Sequence, residues 1–339
     1  MEFTTGGRLI VRITPEDQGK RVSVRHLARS GERGEKFTDT VGVLTSWDAG
    51  MLSIVRRNGQ TVHVPEREMV AGKVIPAEPA RRRGPAATFR ELALVSARAW
   101  QPVESEALGG WTLRAAGGFT RRANSVLPLG DPGMPLADAL AYAHAWYTAR
   151  GLPTYIQTST GAEGTQEGLC VDLENFGWIR EVSAQLRIAA LAPIGDLDTD
   201  VSRVGLSRSV GSAWLGRYQR TGTPGPHVLK VLESGPSTWF ATVAGDGGGA
   251  PAAIGRCVVD GRWAGFMAVE VDPAHRRRGL ATAVMAALAR QALSEGASAA
   301  WLQVEADNEG AAALYDALGF ATHHSYHHFR EPGGSVRPT

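Results

Sequence analysis

The sequence predicts an α/β (α+β) fold with a mixed central sheet, preceded by a small all-β barrel. Three observations support this prediction. Residues 1 to about 76 hold only short alternating segments, residues 89 to about 195 mix helix and strand patterns, and residues 200 to about 330 repeat that order. Such mixed patterns are typical of domains in which helices cover a sheet. A length of 339 residues agrees with two or three domains.

The composition is that of an ordinary globular protein, with 43% hydrophobic residues, 21% charged residues and a net charge of +2. So small a net charge does not indicate a polyanionic partner, and nucleic acid is not expected. Cys170 and Cys257 lack metal-ligand spacing, which indicates buried thiols in a reducing compartment. No signal-peptide layout and no apolar run of about 18 residues occurs. We therefore expect a soluble, cytoplasmic protein without a membrane partner.

Short alternating segments fill the first part of the chain, at residues 8–13, 21–27, 40–48, 52–57 and 61–66. Asn58-Gly59 separates the last two, and this dipeptide favours a hairpin turn. A last turn and a closing strand follow in VPEREMVAGKVIP. Strands this short and this close together indicate a strongly bent barrel. The pattern resembles that of the SH3-like barrels, so residues 1–76 are predicted to form one, with a possible role in binding a protein partner.

A linker and a mixed segment come next. PAEPARRRGPAAT is rich in Pro, Ala and Arg without apolar periodicity, so residues 77–88 are predicted to be a linker. In residues 89–198, FRELALVSARAWQ and PLADALAYAHAWYTARG predict helices, and the intervening stretch predicts a hairpin around Gly117-Gly118. A strand PTYIQTST, a helix ending near LENFGW and a strand VSAQLRIAAL complete the segment.

Residues 199–331 form the last predicted domain, and residues 332–339 a tail. SRSVGSAWLGRYQRT and HVLKVLE predict helices, and TWFATVA, AAIGRCVVDG and RWAGFMAVEV predict three antiparallel strands. A helix, the strand AAWLQVEA, the helix NEGAAALYDALGF and the strand HHSYHHFRE follow. YIQTST…FGW parallels WLQVEADN…LGF, which suggests an internal duplication. The alternative is that the two segments are unrelated and share only similar turn signals between their elements.

The stretch AVEVDPAHRRRGLATAVMAAL, residues 268–288, predicts an anion-binding turn. Pro273 ends a strand because it lacks a backbone N–H, and a helix begins near Gly279. The first amides of a helix have no carbonyl partner and carry partial positive charge, so a pyrophosphate can bind there. Gly279 and Ala281 have little side-chain bulk to keep such a group away.

VDPAHRRRGLA resembles the acetyl-CoA-binding motif of the GCN5-related N-acetyltransferases (GNAT), V-x-P-x-x-[QR]-[RK]-x-G-[LI]-[GA]. The matching positions are Val271, Pro273, Arg276, Arg277, Gly279, Leu280 and Ala281. NEGAAALYDALGF resembles the same family's N-x-x-A-x-x-L-Y-x-x-x-G-F, matched by Asn308, Ala311, Leu314, Tyr315, Gly319 and Phe320. The whole layout resembles a bacterial histone acetyltransferase-like or N-acetylglutamate synthase-like group, in which an SH3-like barrel precedes tandem GNAT halves. Residues 89–198 lack the R-x-x-G-x-A turn and resemble a degenerate half, where no coenzyme is expected.

The resemblance implies acetyl-CoA as the acyl donor, an amine as the acceptor and no metal. The amine would attack the thioester directly, so Cys257 is expected in the core. The pantetheine arm would lie along Met267–Val271 like an added strand, and a backbone N–H near Val269 to Val271 would stabilise the thioester oxygen. The implied coenzyme-binding residues are Val269, Val271, Arg276, Arg277, Arg278, Gly279, Leu280, Ala281, Thr282, Asn308, Ala311 and Tyr315.

The resemblance also implies the catalytic residues. Tyr315 matches the tyrosine that protonates the departing thiolate, although it could simply pack its helix on the sheet. Asn308 is expected to cap that helix and to contact the pantetheine. Gln303 stands where related enzymes have a glutamate, so the general base is predicted to be Glu270 or, second, Glu305. Each carboxylate could instead have a structural role.

Two further groups are weaker candidates. In THHSYHHF, His323 and His327 are predicted to share a face with Ser325, and His324 and His328 the other; a zinc site is not expected, because no acidic or cysteine partner follows. Trp214 and Tyr218 could line the acceptor site or belong to the core. The main alternative to an enzyme is a non-catalytic, acyl-CoA-responsive module whose barrel contacts protein or nucleic acid. The arginine runs lack the interleaved aromatics of nucleic-acid-binding surfaces.

Overall fold

A computed structural model describes residues 11–27, 37–56, 58–75, 84–218, 225–245 and 249–333. Residues 8–10 of the first predicted strand, the arginine run at 81–83 and most of the predicted tail lie outside these ranges. The chain divides into two units, one of residues 1–79 with 158–177 and one of residues 80–157 with 178–339. The domain boundaries given above stay a prediction.

The secondary structure of the described residues follows the predicted order closely. The helices are α1 Phe89–Arg98, α2 Leu136–Thr148, α3 Glu167–Asn175, α4 Ala192–Gly195, α5 Ser212–Arg217, α6 Pro226–Leu232, α7 Leu280–Ser294 and α8 Glu309–Ala317. The strands are β1 Arg21–Leu27, β2 Phe37–Asp48, β3 Met51–Val55, β4 Thr61–Pro65, β5 Met69–Val74, β6 Glu104–Leu108, β7 Trp111–Ala115, β8 Leu127–Pro128, β9 Tyr155–Thr160, β10 Ile179–Ala190, β11 Val204–Ser207, β12 Ser237–Val243, β13 Ala253–Asp260, β14 Trp263–Val271, β15 Ala299–Glu305 and β16 Ala321–Arg330.

The first unit contains a five-stranded antiparallel sheet in the order β4-β3-β2-β1-β5. Its alternating apolar residues point to one core, formed by Ile13, Val22, Val24, Leu44, Leu52, Ile54 and Val64. Of the predicted first strand, Val11 pairs with Gly72 of β5 in an isolated bridge. The small all-β fold predicted for this segment is confirmed. The same unit includes α3, whose Cys170 is fully buried and whose Glu174 accepts a hydrogen bond from Thr61.

The second unit is built on an eight-stranded mixed sheet in the order β11-β12-β13-β14-β15-β10-β16-β9, beside a three-stranded sheet β6-β7-β8. On one face of the large sheet, Leu302 shares a core with the fully buried Val284 and Leu288 of α7. We call this face the α7 face. On the other face, Trp301 of β15 shares a core with Leu92 of α1, and we call this face the α1 face. The α/β fold with a mixed sheet is therefore confirmed.

Strand β10, which ends the middle segment, lies between β15 and β16 of the C-terminal segment. Ala184 pairs with Glu305 on one side and with Tyr326 on the other, antiparallel in both ladders. The C-terminal strands therefore make one continuous sheet only because the middle segment supplies the strand between β15 and β16. The sequence pattern predicted the strand but not this position.

The two segments repeat one order of elements, as predicted. Three antiparallel strands, a helix, a strand, a helix and a strand occur in both, from β6 to β10 and from β12 to β16. A parallel bridge joins Val126 to Ile156 in the middle segment, as β14 pairs parallel with β15 in the C-terminal one. Each segment also buries an arginine on its central antiparallel strand, Arg114 on β7 and Arg256 on β13, and burial lowers the pKa of both to about 10. These parallels support the internal duplication.

The predicted hairpin around Gly117-Gly118 is present, because β7 and β8 pair antiparallel on either side of it. A tighter turn at Gly109-Gly110 joins β6 to β7. The Gly118 region is a loop held by Asn124, whose side-chain oxygen accepts from the amides of Ala116 and Gly118. One local prediction is wrong. Residues 219–221 of the helix predicted over residues 207–221 lie outside the described ranges, and the rest of it is instead the end of the edge strand β11 followed by the short α5. The Ser207 hydroxyl bonds the backbone of Ser209, which competes with helix formation.

Within the described ranges, no helix is long and apolar enough to cross a membrane.

Candidate active site

The candidate site lies where β14 and β15 separate. The two strands pair in parallel only over residues 263–266 and 299–302. Beyond this point Met267–Val271 pair with β13 on their other side, and Gln303–Glu305 pair with β10. We call the opening between Met267–Val271 and Gln303–Glu305 the fork. Beyond Phe266 and Leu302 the two strands no longer pair with each other, so an extended ligand can enter between them and bond as an added strand.

A β-bulge marks the start of the fork. The register of β14 against β13 shifts between the pairs Met267–Arg256 and Glu270–Ile254, and Ala268 has a φ of 51°. A positive φ is uncommon for a residue other than glycine, and bulges often redirect side chains next to active sites. Here the bulge ends the parallel pairing and changes the direction of the residues that follow.

Both predicted general bases lie on the α1 face of the sheet. Glu270 is directly opposite Ile254, which belongs to the α1-face core, and paired residues project to the same face. Gln303 is opposite Leu186 of the same core, and Glu305 follows two residues later on the same face. Glu270 is half-buried and Glu305 is exposed. The fork therefore brings the two carboxylates to one side.

Tyr315 lies on the opposite, α7 face. Helix α8 is attached there by Arg187, whose guanidinium donates to the carbonyl of Ala312 and to the carboxylate of Asp316. The Tyr315 ring packs edge-on against Phe320, with 5.9 Å between the ring centroids. The predicted residues Val269, Val271, Leu280, Ala311 and Tyr315 all border the core of this face. Tyr315 thus has the packing role given above as the alternative; its role as an acid stays a prediction.

The turn before α7 has the backbone of an anion site. Arg277 and Gly279 both have positive φ, 63° and 74°, and the first backbone bond into the helix runs from Ala283 N–H to Gly279 O, 2.9 Å. The amides of Gly279 to Thr282 are therefore those that a helix start leaves open. A Cβ at Gly279 would meet no protein atom within 4 Å, so the conformation, rather than crowding by the protein, requires glycine. The side chains of Arg276, Arg277 and Arg278 are exposed.

Asp272 holds this turn in place. Its carboxylate accepts a 2.8 Å hydrogen bond from the Ala274 amide and also binds the guanidinium of Arg217 on α5. The hydrogen bond from Ala274, followed by the charge of Arg217, keeps the pKa of Asp272 below its usual value. The carboxylate stays ionised and anchors the start of the turn to α5.

Asn308 caps α8 as predicted, because its side-chain oxygen accepts from the amide of Ala311 at 3.1 Å. Ala281 and Thr282 are half-buried in the first turn of α7, next to Gly279. Contact between any of these residues and the coenzyme stays a prediction.

The histidines of β16 divide almost as predicted. His324 and His328 share a face with Tyr326, and His327 faces the other way, where its ring bonds the hydroxyl of Ser183 at 2.8 Å. The grouping of His323 with His327 is wrong. A bulge in the β10–β16 ladder turns the His323 ring towards the carbonyl of Ala87, at 3.0 Å, on the α1 face. The described residues contain no group of three or more His, Cys, Asp or Glu side chains placed to hold a metal ion.

Three other candidates belong to the core. Trp214 is 1% exposed and donates to the carbonyl of Gly255, and the ring of Tyr218 packs against it. Cys257 is fully buried, and burial raises the pKa of its thiol far above the usual range. A buried, protonated thiol is a poor nucleophile, which agrees with direct attack by the amine.

Two arginines at the closed end of the fork were not predicted as site residues from the sequence. The Nε of Arg122 donates to the side-chain oxygen of Gln303 at 2.5 Å, and Nη1 of Arg256 lies 3.1 Å from the sulfur of Met267. Both guanidinium groups lie over the ring of Trp100, at 5.7 and 4.9 Å from its centroid. For Arg256 a signal was present, since an apolar strand with one internal arginine occurs in both halves. For Arg122, in FTRRAN, no local pattern indicated the contact.

Two family models match the chain. Residues 86–329 match the family described as "Probable histone acetyltransferase Rv0428c C-terminal", and residues 16–73 match the "Rv0428c N-terminal Sm-like domain". The first match spans both repeated segments. The second agrees with the five-stranded sheet of the first unit and describes it as Sm-like, where the sequence pattern resembled an SH3-like barrel.

Individual relatives agree with these families. The chain is 28% identical over 251 residues, 71% of its length and 98% of the relative, to an uncharacterized N-acetyltransferase, YobR, of Bacillus subtilis. It is 26% identical over 312 residues, 90% of its length and 93% of the relative, to a probable histone acetyltransferase, Rv0428c, of Mycobacterium tuberculosis. A GCN5-related N-acetyltransferase structure from Kribbella flavida superposes with a TM-score of 0.52 at 18% identity, over 72% of this chain and 95% of that one.

Proposed function

The chain belongs to the family described as "Probable histone acetyltransferase Rv0428c C-terminal" and is an acyltransferase, and we propose that it transfers an acetyl group from acetyl-CoA to a primary amine. The acceptor is a protein lysine, a protein N-terminus or a small-molecule amine, and the amine attacks directly within a ternary complex. The observation that carries this proposal is the fork, which opens beside the Gly279 turn. A cytoplasmic location and a protein partner for the first unit are parts of the same proposal.

Acetyl-CoA would bind along the α7 side of the fork. The open amides from Gly279 to Thr282 would hold its pyrophosphate, with the side chains of Arg276, Arg277 and Arg278 adding charge around it. The pantetheine would bond the edge of Met267–Val271 that faces the fork, as an extra strand next to Asn308 and Ala311. Val269, Val271 and Leu280 border the core there, so they give the pantetheine an apolar wall.

The chemistry then uses both faces of the sheet. An amine on the α1 face attacks the thioester carbon, and a backbone N–H near Val269 to Val271 stabilises the negative oxygen that forms. The amine proton passes to Glu270, directly or through water, and the C–S bond breaks as the carbonyl re-forms. Tyr315, from the α7 face, gives a proton to the departing thiolate. We rank Glu270 above Glu305 because Glu270 is half-buried beside the bulge, whereas Glu305 is exposed.

The test measures release of the CoA thiol from acetyl-CoA in the presence of lysine peptides, peptides with free N-termini and small amines. At least one class is expected to stimulate release. Tyr315→Phe should lower kcat by about 100-fold or more while acetyl-CoA binding is kept. If acetyl-CoA binds but no amine stimulates release, the protein is instead a non-catalytic acyl-CoA-responsive module. If acetyl-CoA does not bind, the proposal fails.

The choice of base needs its own pair of variants. Glu270→Gln and Glu305→Gln remove one carboxylate each from the same face of the fork, so each is the control for the other. Loss of the ascending limb of the kcat/KM pH profile is expected only in Glu270→Gln. Its loss in Glu305→Gln alone would assign the base to Glu305.

A further inference from the structure

The closed end of the fork carries positive charge that no carboxylate among the described residues compensates. Met267 and Gln303 are the first residues beyond the last β14–β15 pair, and a guanidinium group contacts each of them. Arg256 is fully buried and donates to the backbone carbonyls of Leu232, Ala99 and Ser234. All the oxygen acceptors found for it among the described residues are neutral. A buried charge without a counter-charge is costly to maintain.

Arg122 differs from Arg256 because a ligand can reach it. It is half-buried, and it comes from the middle segment, at the 3-10 turn Arg121–Ala123. Gln303 accepts from its Nε, and the hydroxyl of Tyr326 accepts from its Nη2 at 2.6 Å. Nη1 makes no hydrogen bond with any described residue. Two neutral partners thus orient the guanidinium group and leave donors available, which is the arrangement that binds a carboxylate or a phosphate in two places.

The surroundings of Arg122 do not compensate its charge. His328 is 3% exposed, and neither of its ring nitrogens has a hydrogen-bond partner among the described residues. Burial, and then the charges of Arg122, Arg114 and Arg121, hold the pKa of His328 well below its usual value, so the imidazole is neutral. The carboxylate in this neighbourhood, Glu181, is already bound by Arg121 at 2.8 Å, by the Tyr155 hydroxyl and by Arg330.

The charge reverses further along the fork. Glu270 is three residues beyond Met267 and Glu305 two beyond Gln303, on the same α1 face, which is roughly 7–10 Å along the strands. A short amino acid with a hydrogen bond at each end spans such a distance. Its ammonium group would face Glu270 and its carboxylate would face Arg122. A lysine side chain of a protein has no anionic group so near its amine.

We propose that Arg122 binds an anionic group of the acceptor, and that the acceptor is a small amine bearing a carboxylate a few bonds from its nitrogen. This inference rests on the proposed acetyl transfer and narrows its substrate class. The middle segment then contributes to acceptor selection through Arg122, although it lacks the turn that would bind a coenzyme of its own.

The test uses the full-length protein and matched acceptors: alanine with alaninamide, β-alanine with β-alaninamide, 5-aminopentanoate with pentylamine, and a lysine peptide with blocked ends. The carboxylate member of at least one pair should have a kcat/KM about tenfold or more above its neutral partner. Arg122→Gln should abolish that preference, mainly by raising KM for the acceptor, and Arg122→Lys should restore part of it.

Arg262→Gln is the matched control, because Arg262 lies at the other end of β14 and binds Glu91. It should keep the preference. Calorimetric titration of the preferred carboxylate into the CoA-saturated protein gives a readout independent of turnover, and Arg122→Gln should weaken this binding.

Four outcomes overturn the inference: equal kcat/KM within every pair, a preference that survives in Arg122→Gln, no carboxylate binding, or a blocked lysine peptide as the best acceptor. Failure of the proposed acetyl transfer can be distinguished from failure of this inference. In that case no amine would be acetylated, but carboxylate binding would still depend on Arg122.

Discussion

Ala184 of the middle segment pairs directly with Glu305 of the C-terminal segment, the last residue of β15 in the fork. Through this pair and its neighbours, β10 holds β15 in position while β15 separates from β14. The geometry of the candidate site therefore depends on a strand that lies outside the segment carrying both coenzyme motifs.

A fragment of residues 199–331 is expected not to fold, because removing β10 exposes the paired edges of both β15 and β16. A fragment of residues 178–331 restores this strand and is the matched control. It should remain more soluble and show more strand signal by circular dichroism. Cooperative thermal unfolding of the shorter fragment by itself would contradict the prediction.

Gly279→Ala should weaken acetyl-CoA binding about tenfold, because alanine cannot easily keep a φ of 74° and the open amides would turn away. Gly261→Ala, at the β13–β14 turn with a φ of 57°, introduces similar strain away from the site. Both changes should lower the free energy of unfolding by about 1 kcal/mol. Only the first should raise KM for acetyl-CoA; equal KM values in the two variants would refute the role of the turn.

Cys257→Ala should keep most of the transfer activity, since the thiol is buried, protonated and surrounded by apolar side chains. The variant should instead lose stability, by about 1 kcal/mol, for the lost contacts of one sulfur atom. Thermal melting and the amine-dependent rate measure the two effects separately. A loss of rate beyond about tenfold, with the fold intact, would mean that an acyl-enzyme forms at Cys257.

Acidification should destabilise the protein partly through His327. Burial, and then the charge of Arg180, lower the pKa of this imidazole to about 3 in the folded state, against about 6.5 in the unfolded chain. Between these values the unfolded state binds one proton more, so the free energy of unfolding falls as the pH decreases, by up to about 1.4 kcal/mol per pH unit.

Below about pH 6.5, His327→Gln should therefore reduce the slope of the free energy of unfolding against pH. The reduction should correspond to close to one bound proton. His144→Gln, which removes an exposed imidazole, is the control. Chemical denaturation at several pH values gives the slopes, and equal slopes in wild type and His327→Gln would count against a neutral, buried His327.

Local signals in the sequence were sufficient for most elements and for the Gly279 turn. Alternation predicted the strands, Asn308 predicted a cap, and the arginine–glycine run predicted a helix start with open amides. The fork required more, because it depends on where the pairing of two strands stops, and no residue type encodes that position. β10 pairs with strands more than a hundred residues away in the sequence, and Arg122 contacts Gln303 across a similar separation. Sequence periodicity reports only local structure, so it predicted neither contact. His323 is a further example, because alternation along the strand predicted one face and a single β-bulge places the residue on the other.

The central position of β10 also bears on how such a chain can evolve. A gene segment that has lost its own ligand turn would ordinarily be free to shrink or disappear. Here, any deletion that reaches β10 removes the middle of its neighbour's sheet, so both halves must be inherited together. The segment without a coenzyme-binding turn is therefore retained because the other segment needs its strand. Its loops can still change during evolution and so alter which acceptors are recognised.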